Sequence, residues 1–306
     1  MFLKIYYKIS DFDSSIKTIV TVGTFDGVHL GHKSIFDKLS MLADQNSLAI
    51  VLLTFSPHPR HVLFPQNQNL KLINTDEEKI EKIKKLGVQH LIIHEFTKQF
   101  SRMTSTDFVK NILVEKLNIE HLVVGHDHQF GKNREGSFTE LLDLSEVYNF
   151  DIHRVEAFEK DNIKISSTKI RKAISVGNIT QANNLLGSKF FIIGQVEKGN
   201  QLGREIGFPT ANLKINQYKI LPRPGVYYVT IIYNDVNYFG MLNIANDSFK
   251  TEVHIFNFDS NIYDQKIKVY FFDRLRDEIK FDTHFQLKKQ LQIDEISCKK
   301  YFNLTT

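Results

Sequence analysis

The spacing of apolar residues over roughly the first 185 positions alternates between strand-like runs and helix-like stripes. Four apolar runs predict strands, at 19–22, 48–55, 88–96 and 121–125. The run at 48–55 is almost wholly apolar, which is typical of a strand buried on both faces of a parallel sheet. Apolar residues three and four apart predict helices from about residue 32, behind residue 75, and over 104–117. This alternation predicts an α/β domain with a doubly wound parallel sheet.

One of these predicted helices has clear start and stop signals. Thr75 is followed three residues later by Glu78, the spacing of a capping box. An apolar stripe follows, and Gly87 ends it in the way that glycine commonly ends helices. The sequence therefore predicts a helix between Thr75 and Gly87.

The pattern changes in the second half of the chain. Two short helices, punctuated by Gly177 and Gly187, are predicted within 165–188. From Phe190 onward the apolar period is close to two, which predicts a small antiparallel β-barrel with a hairpin turn at Asn234–Asp235. Two further helices are expected at the end, over 283–291 and 294–303. We therefore expect two domains, residues 1–187 and 188–306.

Composition argues against several classes of protein. The 306 residues are 42% hydrophobic and 24% charged, as in a globular protein, and the net charge of +4 comes without a long basic block, which disfavours a dedicated nucleic-acid binder. No apolar run approaches the ~20 residues that span a membrane, and the start lacks the order of a signal peptide. The single cysteine cannot form an intrachain disulfide. We expect a cytoplasmic protein without nucleic-acid or membrane partners.

The stretch TVGTFDGVHLGH, at 21–32, breaks the pattern of an ordinary core strand. It places glycines and two histidines between a strand and the start of a helix, where free backbone N–H groups and the helix dipole favour an anion. Gly31 lets the backbone approach closely because it has no Cβ. His29 and His32 can donate hydrogen bonds to phosphate oxygens and stabilise developing charge. We expect a triphosphate site here.

Two other interpretations of this stretch stay open. The HxxH spacing could supply two zinc ligands, but zinc needs four ligands, or three and a water. Further candidate zinc ligands are His58, His61, His126 and His128. None of them has an acidic or cysteine partner at a standard spacing. A purely structural role, as a glycine turn with surface histidines, is the second alternative.

Three other stretches of the first domain carry candidate chemistry. ISSTKIR, at 165–171, precedes a helix, so the hydroxyls of Ser166, Ser167 and Thr168 are either N-caps or phosphate ligands, and Arg171 could reach the same anion. TFSPHPR, at 54–60, is expected in the loop after the second strand. VGHDHQFGKNREGS, at 124–137, contains three glycines and is expected to form a loop after a later strand.

GNQLGREIGFPTANL, at 199–213, is the strongest element of the second domain. Gly199, Gly203 and Gly207 recur every four residues and make a phosphate-wrapping loop plausible. Thr210 and Asn212 then offer hard oxygen ligands suited to magnesium. Taken alone the pattern is weak, since threonine and asparagine also occur in ordinary turns.

Together, these motifs resemble the prokaryotic bifunctional riboflavin kinase/FMN adenylyltransferase (FAD synthetase) family, in order and over about 10–303. GTFDGVHLGH is similar to the HxGH element of nucleotidyltransferases. The resemblance implies a Rossmann-like nucleotidyltransferase domain with a parallel sheet, followed by a small flavokinase-like antiparallel barrel with terminal helices.

In the first domain the resemblance implies catalytic roles for His29 and His32. It implies ATP or phosphate contacts by Gly23, Phe25, Gly31, Ser166, Ser167, Thr168 and Arg171. It implies flavin or nucleotide contacts by Pro57, His58, Pro59, Arg60 and Asp127. His128 and Gln129 stand where family members often have an aromatic and a basic residue.

In the second domain it implies that Glu252 is the base that accepts the proton of the riboflavin 5′-hydroxyl. ATP contacts are implied for Gly199, Gly203, Gly207, Pro209, Thr210 and Asn212, with Mg²⁺ held by Thr210 and Asn212. Flavin contacts are implied for Tyr227 and Arg276. Two departures stand out: the stretch MLNIANDSFKTEVHI lacks the family's Pro-Thr loop, and Asp264 replaces a usual glycine.

The activity implied is phosphorylation of riboflavin to FMN by ATP and Mg²⁺, then adenylylation of FMN to FAD with release of pyrophosphate. Its small-molecule partners would be riboflavin, FMN, FAD and ATP. One alternative keeps the adenylyltransferase and makes the barrel a degenerate flavin-binding module. The other, an RNA-associated protein, rests on fold analogy alone, and the modest net charge counts against it.

Overall fold

The computed structural model describes residues 2–66, 70–126, 131, 136–160, 163–199, 202–246 and 250–304. The chain divides into two compact units, each formed from two segments. The first comprises Met1–Leu70 and Lys79–Ser166, and the second comprises Lys71–Glu78 and Ser167–Thr306. These units are defined by packing, and the functional boundary expected between residues 187 and 188 stays a prediction.

The first unit is built on a six-stranded parallel sheet with the order β1-β4-β3-β2-β5-β6. The strands are β1 (Lys4–Tyr6), β2 (Thr18–Val22), β3 (Ala49–Ser56), β4 (His90–Glu95), β5 (Ile119–Gly125) and β6 (Asp151–Val155). β7 (Glu159–Lys160) and β8 (Ile163–Lys164) form a separate antiparallel pair. The predicted α/β class is confirmed, and the four predicted strands are the four in the middle of the sheet.

The segments flanking the sheet are mainly helical. They are α1 (Leu30–Asn46), α2 (Pro59–Leu63), α3 (Asp76–Ile83), α4 (Ser105–Asp107) and α5 (Phe138–Tyr148), with 3₁₀ turns at Ile9–Asp11 and Phe100–Arg102. The helix predicted over 104–117 is irregular, since α4 passes directly into a π-helical segment, Phe108–Val114. The loop predicted for 54–60 is shorter than expected because β3 continues to Ser56 and α2 begins at Pro59.

Alternate residues of each central strand enter opposite faces of the sheet. Val20 packs into one apolar cluster, with the π-helical segment, while Ile19 packs into the other, with α1. This burial of both faces explains the continuous apolar runs in the sequence. It leaves the ends of the strands as the place for polar chemistry.

The second unit contains a closed six-stranded barrel in which every neighbouring pair is antiparallel. Its order around the barrel is β10-β13-β12-β11-β14-β9. The strands are β9 (Phe191–Glu197), β10 (Ala211–Ile215), β11 (Gly225–Tyr233), β12 (Val236–Ile244), β13 (Thr251–Ile255) and β14 (Lys266–Arg276). The predicted barrel and its Asn234–Asp235 hairpin turn are confirmed, with both turn residues at positive φ.

The helices of this unit include α6 (Ser167–Ser175), α7 (Ile179–Leu186), α8 (Leu202–Glu205) and α9 (His284–Tyr301). The prediction of two terminal helices was wrong, because α9 is continuous. Asp294 does not start a new helix. Its carboxylate is buried within α9 and accepts from Arg276, at 2.6 Å from a terminal guanidinium nitrogen. A non-local ion pair of this kind leaves no trace in the local pattern.

A buried ion pair ties the segment 71–78 into the second unit. Lys219 Nζ lies 2.5 Å from Glu78 Oε2 and also donates to the carbonyls of Ile73 and Phe191, at 2.5 and 2.8 Å. Glu78 also forms the predicted capping box, since it accepts from the Thr75 N–H at 3.0 Å. Removing one partner of such a pair leaves an uncompensated buried charge, at a cost of about 3–5 kcal/mol. No helix among the described residues is long and apolar enough to cross a membrane.

Candidate active sites

The first candidate site begins at the glycine turn between β2 and α1. Phe25 and Val28 have positive φ angles of 47° and 43°, and Gly27 has one of 94°. A Cβ on Gly23 would lie 3.1 Å from the Phe25 ring, which is itself buried. The tight turn therefore requires a small residue at 23 and brings the chain directly into α1.

His29 and His32 form a reciprocal capping box at the start of α1. The His32 N–H donates to His29 Nδ1 and the His29 N–H donates to His32 Nδ1, each at 3.3 Å. The two rings stack with centroids 3.6 Å apart and planes 14° from parallel. Because both Nδ1 atoms accept hydrogen bonds, each neutral ring carries its proton on Nε2. The box thus fixes two imidazoles as Nε2–H donors.

The surroundings disfavour a positive charge on His32. Burial, followed by the electrostatic effects of the neighbouring His29, Lys82 and Lys79, holds the pKa of His32 well below its usual value. Lys82 is fixed beside the turn because its Nζ donates to the Gly27 carbonyl at 2.8 Å. A Cβ on Gly31 would lie 3.3 Å from the His29 ring. Neutral hydrogen-bond donors, nearby ammonium groups and a small residue together suit a polyphosphate.

The zinc alternative for this stretch finds no support in the described residues. No third histidine, cysteine or carboxylate is grouped there with His29 and His32 closely enough to share an ion. Both Nδ1 atoms are already hydrogen-bond acceptors within the box. His128, one of the candidates, lies outside the described residues.

The expected flavin-side element follows β3. His58 caps α2, since its Nδ1 accepts from the Arg60 N–H at 3.2 Å, and Pro59 occupies the first helical turn. Pro57 and Arg60 are exposed. These placements leave the prediction of a flavin contact untested. Asp127, also expected to contact flavin or nucleotide, lies outside the described residues, as does Gln129.

A cluster of aromatic residues that the sequence motifs did not predict lies near the carboxyl ends of β3 and β4. Phe55 and Phe96 have ring centroids 5.5 Å apart, and Phe100 lies 5.5 Å from Phe55. His94 packs against Phe100, and its buried Nδ1 has no hydrogen-bond partner in the described part of the chain. Because these contacts are non-local, only the run of phenylalanines hinted at them.

The serine- and threonine-rich motif lies at the start of α6. Ser166 ends the first unit, whereas Ser167, Thr168 and Arg171 belong to the second. Arg171 Nε donates to the carbonyl of Lys71 at 3.0 Å. The guanidinium is therefore held by the backbone of the segment that Lys219 also anchors, and its predicted phosphate contact stays a prediction.

The second candidate site lies where β10, β13 and β12 run side by side. The strand register places Asn212 directly opposite Glu252, and Glu252 directly opposite Asn243. Directly opposed residues share one face of a sheet, so their side chains form one polar row. The Glu252 side chain is 30% exposed and pairs with Lys250, with Nζ 2.7 Å from Oε1. Glu252 is therefore an accessible carboxylate on this face.

The glycine loop before β10 is closely fitted to Asn212. A Cβ on Gly199 would lie 2.0 Å from Asn212 Nδ2, and one on Gly203 would lie 2.2 Å from the Phe208 carbonyl oxygen and 3.4 Å from Thr210 Oγ1. Both positions therefore require glycine. Part of the predicted loop is helical, since α8 covers Leu202–Glu205, and Gly207 follows it with a φ of 89°.

His254 supports this loop and was not among the predicted residues. Its Nδ1 donates to the Pro209 carbonyl at 2.7 Å, and its ring packs 5.3 Å from that of Phe208. Burial lowers the pKa of His254, so the imidazole is neutral near pH 7. It holds the loop by one hydrogen bond and by packing.

The residues expected to hold a divalent ion fit one chemically. Asn212 Oδ1 is buried and has no hydrogen-bond partner among the described residues. The Thr210 hydroxyl follows the same glycine loop and is exposed. An unmet carboxamide oxygen and a hydroxyl are the hard oxygen donors that Mg²⁺ prefers.

Tyr227 and Arg276, expected to contact flavin, are already engaged. Tyr227 is fully buried in the barrel and its hydroxyl donates to the Arg223 carbonyl. Arg276 Nε lies 2.9 Å from Asp294 Oδ1. Both side chains stabilise the barrel and α9, and their flavin contacts stay a prediction.

Family models match both units in order. A model described as FAD synthetase covers residues 12–169, and one described as riboflavin kinase covers residues 186–302. The chain is 37% identical to the bifunctional riboflavin kinase/FMN adenylyltransferase of Buchnera aphidicola subsp. Schizaphis graminum, over 93% of this chain and 94% of that protein. The chain belongs to the bifunctional riboflavin kinase/FMN adenylyltransferase family.

Two further likenesses extend this result. The family member of Listeria monocytogenes is also 37% identical, over 94% of each chain. A crystal structure from Streptococcus pneumoniae, named a macrolide-efflux protein, matches with a TM-score of 0.88 and 33% identity, over 98% of this chain and 99% of that one. That name describes the other protein. The likeness shows that the two chains share one fold over nearly their whole length.

Proposed function

We propose that this chain makes FAD from riboflavin in two steps. The barrel unit phosphorylates riboflavin with ATP to give FMN, and the α/β unit transfers AMP from a second ATP to FMN, releasing pyrophosphate. Flavins are substrates and products of both steps. As a biosynthetic enzyme it would work in the cytoplasm, in keeping with its one cysteine, which is free and buried.

In adenylyl transfer, the attacking FMN phosphate displaces pyrophosphate at the α-phosphorus of ATP. Negative charge accumulates on the phosphate oxygens, so the residues need only position and stabilise. We assign that role to the Nε2–H groups of His29 and His32, which the capping box keeps in the donor tautomer. Gly31 leaves room for a phosphate beside the first turn of α1. Further ATP contacts are proposed for Gly23, Phe25, Ser166, Ser167, Thr168 and Arg171.

FMN would approach the first unit from the carboxyl ends of β3 and β4. We keep the flavin contacts proposed from the family resemblance, at Pro57, His58, Pro59, Arg60 and Asp127. The aromatic rings of Phe55, Phe96 and Phe100 support an apolar surface at the same strand ends. Such a surface suits a planar flavin ring.

In phosphoryl transfer, Glu252 accepts the proton of the riboflavin 5′-hydroxyl as the γ-phosphoryl group arrives. The loose transition state needs little early proton removal, so the direction of the carboxylate matters more than its basicity. The glycine loop, with Gly199, Gly203, Gly207 and Pro209, would enclose the ATP phosphates. Thr210 and Asn212 would hold Mg²⁺, which when bound neutralises charge on the β- and γ-phosphates.

The observation that carries the bifunctional proposal is the polar row on the barrel. Asn212 and Glu252 lie opposite each other on neighbouring strands, and a buried oxygen of Asn212 has no hydrogen-bond partner among the described residues. A barrel kept only to bind flavin would not need a hard oxygen without a partner beside an accessible carboxylate. The match to the riboflavin kinase model over 186–302 supports the same choice over a degenerate barrel.

The decisive experiment incubates flavin-free protein with riboflavin, ATP and Mg²⁺ and separates the flavins by chromatography over time. FMN followed by FAD is expected. FAD formed only when the reaction starts from FMN would mean that the barrel has lost its chemistry. No product from either start would overturn the proposal. Replacing Mg²⁺ by other divalent ions in the same assay tests the choice of ion.

A further inference from the structure

Three metal-ligating side chains with no role in either reaction converge towards the amino ends of β5 and β6. The register places His121 of β5 directly opposite Asp151 of β6. Asp151 and His153 share a face, because side chains two apart on a strand point the same way. Within the described ranges, this is the one group of three or more histidine, cysteine or acidic side chains close enough to share an ion.

The distances in this cluster match those between ligands of one metal ion. His121 Nδ1 lies 3.1 Å from His153 Nε2 and 3.3 Å from Asp151 Oδ2, and all three ligand atoms lie within 4.8 Å of one another. Zinc bound tetrahedrally at about 2.0–2.1 Å holds its nitrogen and oxygen ligands about 3.3–3.4 Å apart. Two edges of such a tetrahedron are therefore nearly formed already.

The electrostatics of the cluster also suit a cation. His121 Nδ1 faces two partners at once, a nitrogen and a carboxylate oxygen, and one ring proton satisfies them only in part. Burial, then the positive charges of His121 and Lys38, lower the pKa of His153, and Asp151 partly opposes them. Lys38 opposes the cation, and the Asp151 carboxylate offsets it.

We propose that His121, Asp151 and His153 bind a divalent transition-metal ion, with zinc the best match. Two imidazole nitrogens and one carboxylate make a borderline donor set for zinc, and water would complete the tetrahedron. Magnesium, which prefers oxygen ligands, would bind poorly. The site is distinct from both catalytic sites. The His29 turn follows the carboxyl end of β2, whereas this cluster lies towards the amino ends of β5 and β6. The Glu252 site is built on strands of the barrel.

The ion would act as a clamp on the sheet. β6 is an edge strand that pairs only with β5 in the six-stranded sheet. A bound ion would join these two strands and stabilise the folded state by an amount that grows with the logarithm of the metal concentration. Since Asp151 has a side chain that is 73% exposed, the ion would exchange readily with solvent.

Calorimetric titration of the full chain with zinc tests the proposal, with the visible spectrum of bound cobalt as a second readout. One equivalent is expected, with a tetrahedral cobalt spectrum. Asp151→Asn and His153→Gln should each weaken zinc binding by about 100-fold or more, which exceeds the usual effect of losing a residue that only orients a ligand. His126→Gln is the matched control, since His126 lies just beyond the other end of β5. It should bind like the unaltered chain.

Thermal unfolding provides a second test of zinc binding that does not depend on the folding of a histidine variant. Asp151 is exposed, so Asp151→Asn should fold normally, which circular dichroism checks. Zinc should raise the unfolding temperature of the unaltered chain and of His126→Gln, but not that of Asp151→Asn. No stoichiometric zinc binding, or an equal zinc effect in Asp151→Asn, would overturn the proposal.

Discussion

The two glycine-bearing loops of this chain differ in how their polar groups are satisfied before any substrate arrives. At the start of α1, His29 and His32 accept each other's backbone N–H groups. At the start of β10, by contrast, where the second glycine loop ends, Asn212 Oδ1 is buried with no partner in the described part of the chain. One loop completes its own hydrogen bonds, and the other leaves one for a ligand.

This difference predicts different sensitivities. The histidine box is preorganised, so ATP binding there costs little ordering, and its function depends on the tautomer and charge of the rings. The asparagine carries an unmet hydrogen bond that costs about 1–3 kcal/mol until a cation or ligand satisfies it. The barrel site should therefore respond to divalent ions, and the α/β site to changes in the imidazoles.

Glu252→Gln should separate the two sites with the largest effect. It keeps the shape of the side chain but removes the proton acceptor, so FMN formation should fall about 10²–10⁴-fold. FAD formation from supplied FMN should be unchanged. Chromatography of the flavins, started from riboflavin and separately from FMN, measures both rates.

Lys250 supplies the control for this variant. Lys250→Gln removes the ion-pair partner of Glu252 but leaves the carboxylate in place. Since exposed pairs contribute little, FMN formation should change by only about fivefold or less. If Glu252→Gln abolished both activities, the assignment of separate sites would be wrong.

His32→Gln tests whether the ring itself is needed at the first site. Glutamine at the third helical position also completes a capping box, so α1 should keep its start while losing the imidazole. FAD formation should fall about 10²–10³-fold, the usual cost of one donor to a developing charge. Riboflavin should then accumulate as FMN, which the same chromatography detects.

His32→Ala is the matched comparison, because it removes both ring and cap. It should lose the same activity and, in addition, about 1 kcal/mol of stability. Full FAD formation by His32→Gln would show that His32 only caps the helix.

How much the sequence predicts depends on how local each feature is. The central strands and the Thr75–Glu78 box follow from spacing alone. The short edge strands β1 and β6 are partly exposed and lack an apolar run. The sequence predicted a new helix from residue 294, yet Asp294 lies within α9 and accepts a hydrogen bond from Arg276 of the distant strand β14. These features were not predicted because they depend on contacts between distant residues, which local periodicity does not encode.

The candidate sites divide in the same way. The motif at 21–32 was placed correctly between a strand and a helix. The motifs also picked out Asn212 and Glu252, which the strand register places opposite each other, while their roles stay predictions. They did not predict the reciprocal box, because histidine is not among the usual N-cap residues. The supporting role of His254 was also missed, since its bond to the Pro209 carbonyl depends on how β13 packs.

Asn212→Leu tests the unmet hydrogen bond directly. An apolar side chain of similar size removes the buried oxygen, so the ion-free protein should unfold with a free energy up to about 1–3 kcal/mol higher. The stabilisation by Mg²⁺ and ATP that is due to the barrel site should disappear, together with FMN formation. Urea unfolding with and without Mg²⁺-ATP measures the change. Asn212→Asp, which keeps an oxygen ligand, should retain the response to Mg²⁺.

The smallest expected effect is the pH dependence of the histidine box. Since burial lowers the pKa of His32 in the folded chain, the unfolded chain takes up its proton first as the pH falls. The contribution is therefore fully present above the unfolded pKa of about 6.5 and declines below it, by up to about 1.4 kcal/mol per pH unit until the folded pKa is reached. Urea unfolding at about pH 7.5 and about pH 5.5 should show a larger loss for the unaltered chain than for His32→Gln. An equal loss in both proteins would mean that His32 titrates normally and that the rings do not need to be neutral. The expected difference would instead link the stability of the α/β site to the same tautomer that its chemistry requires.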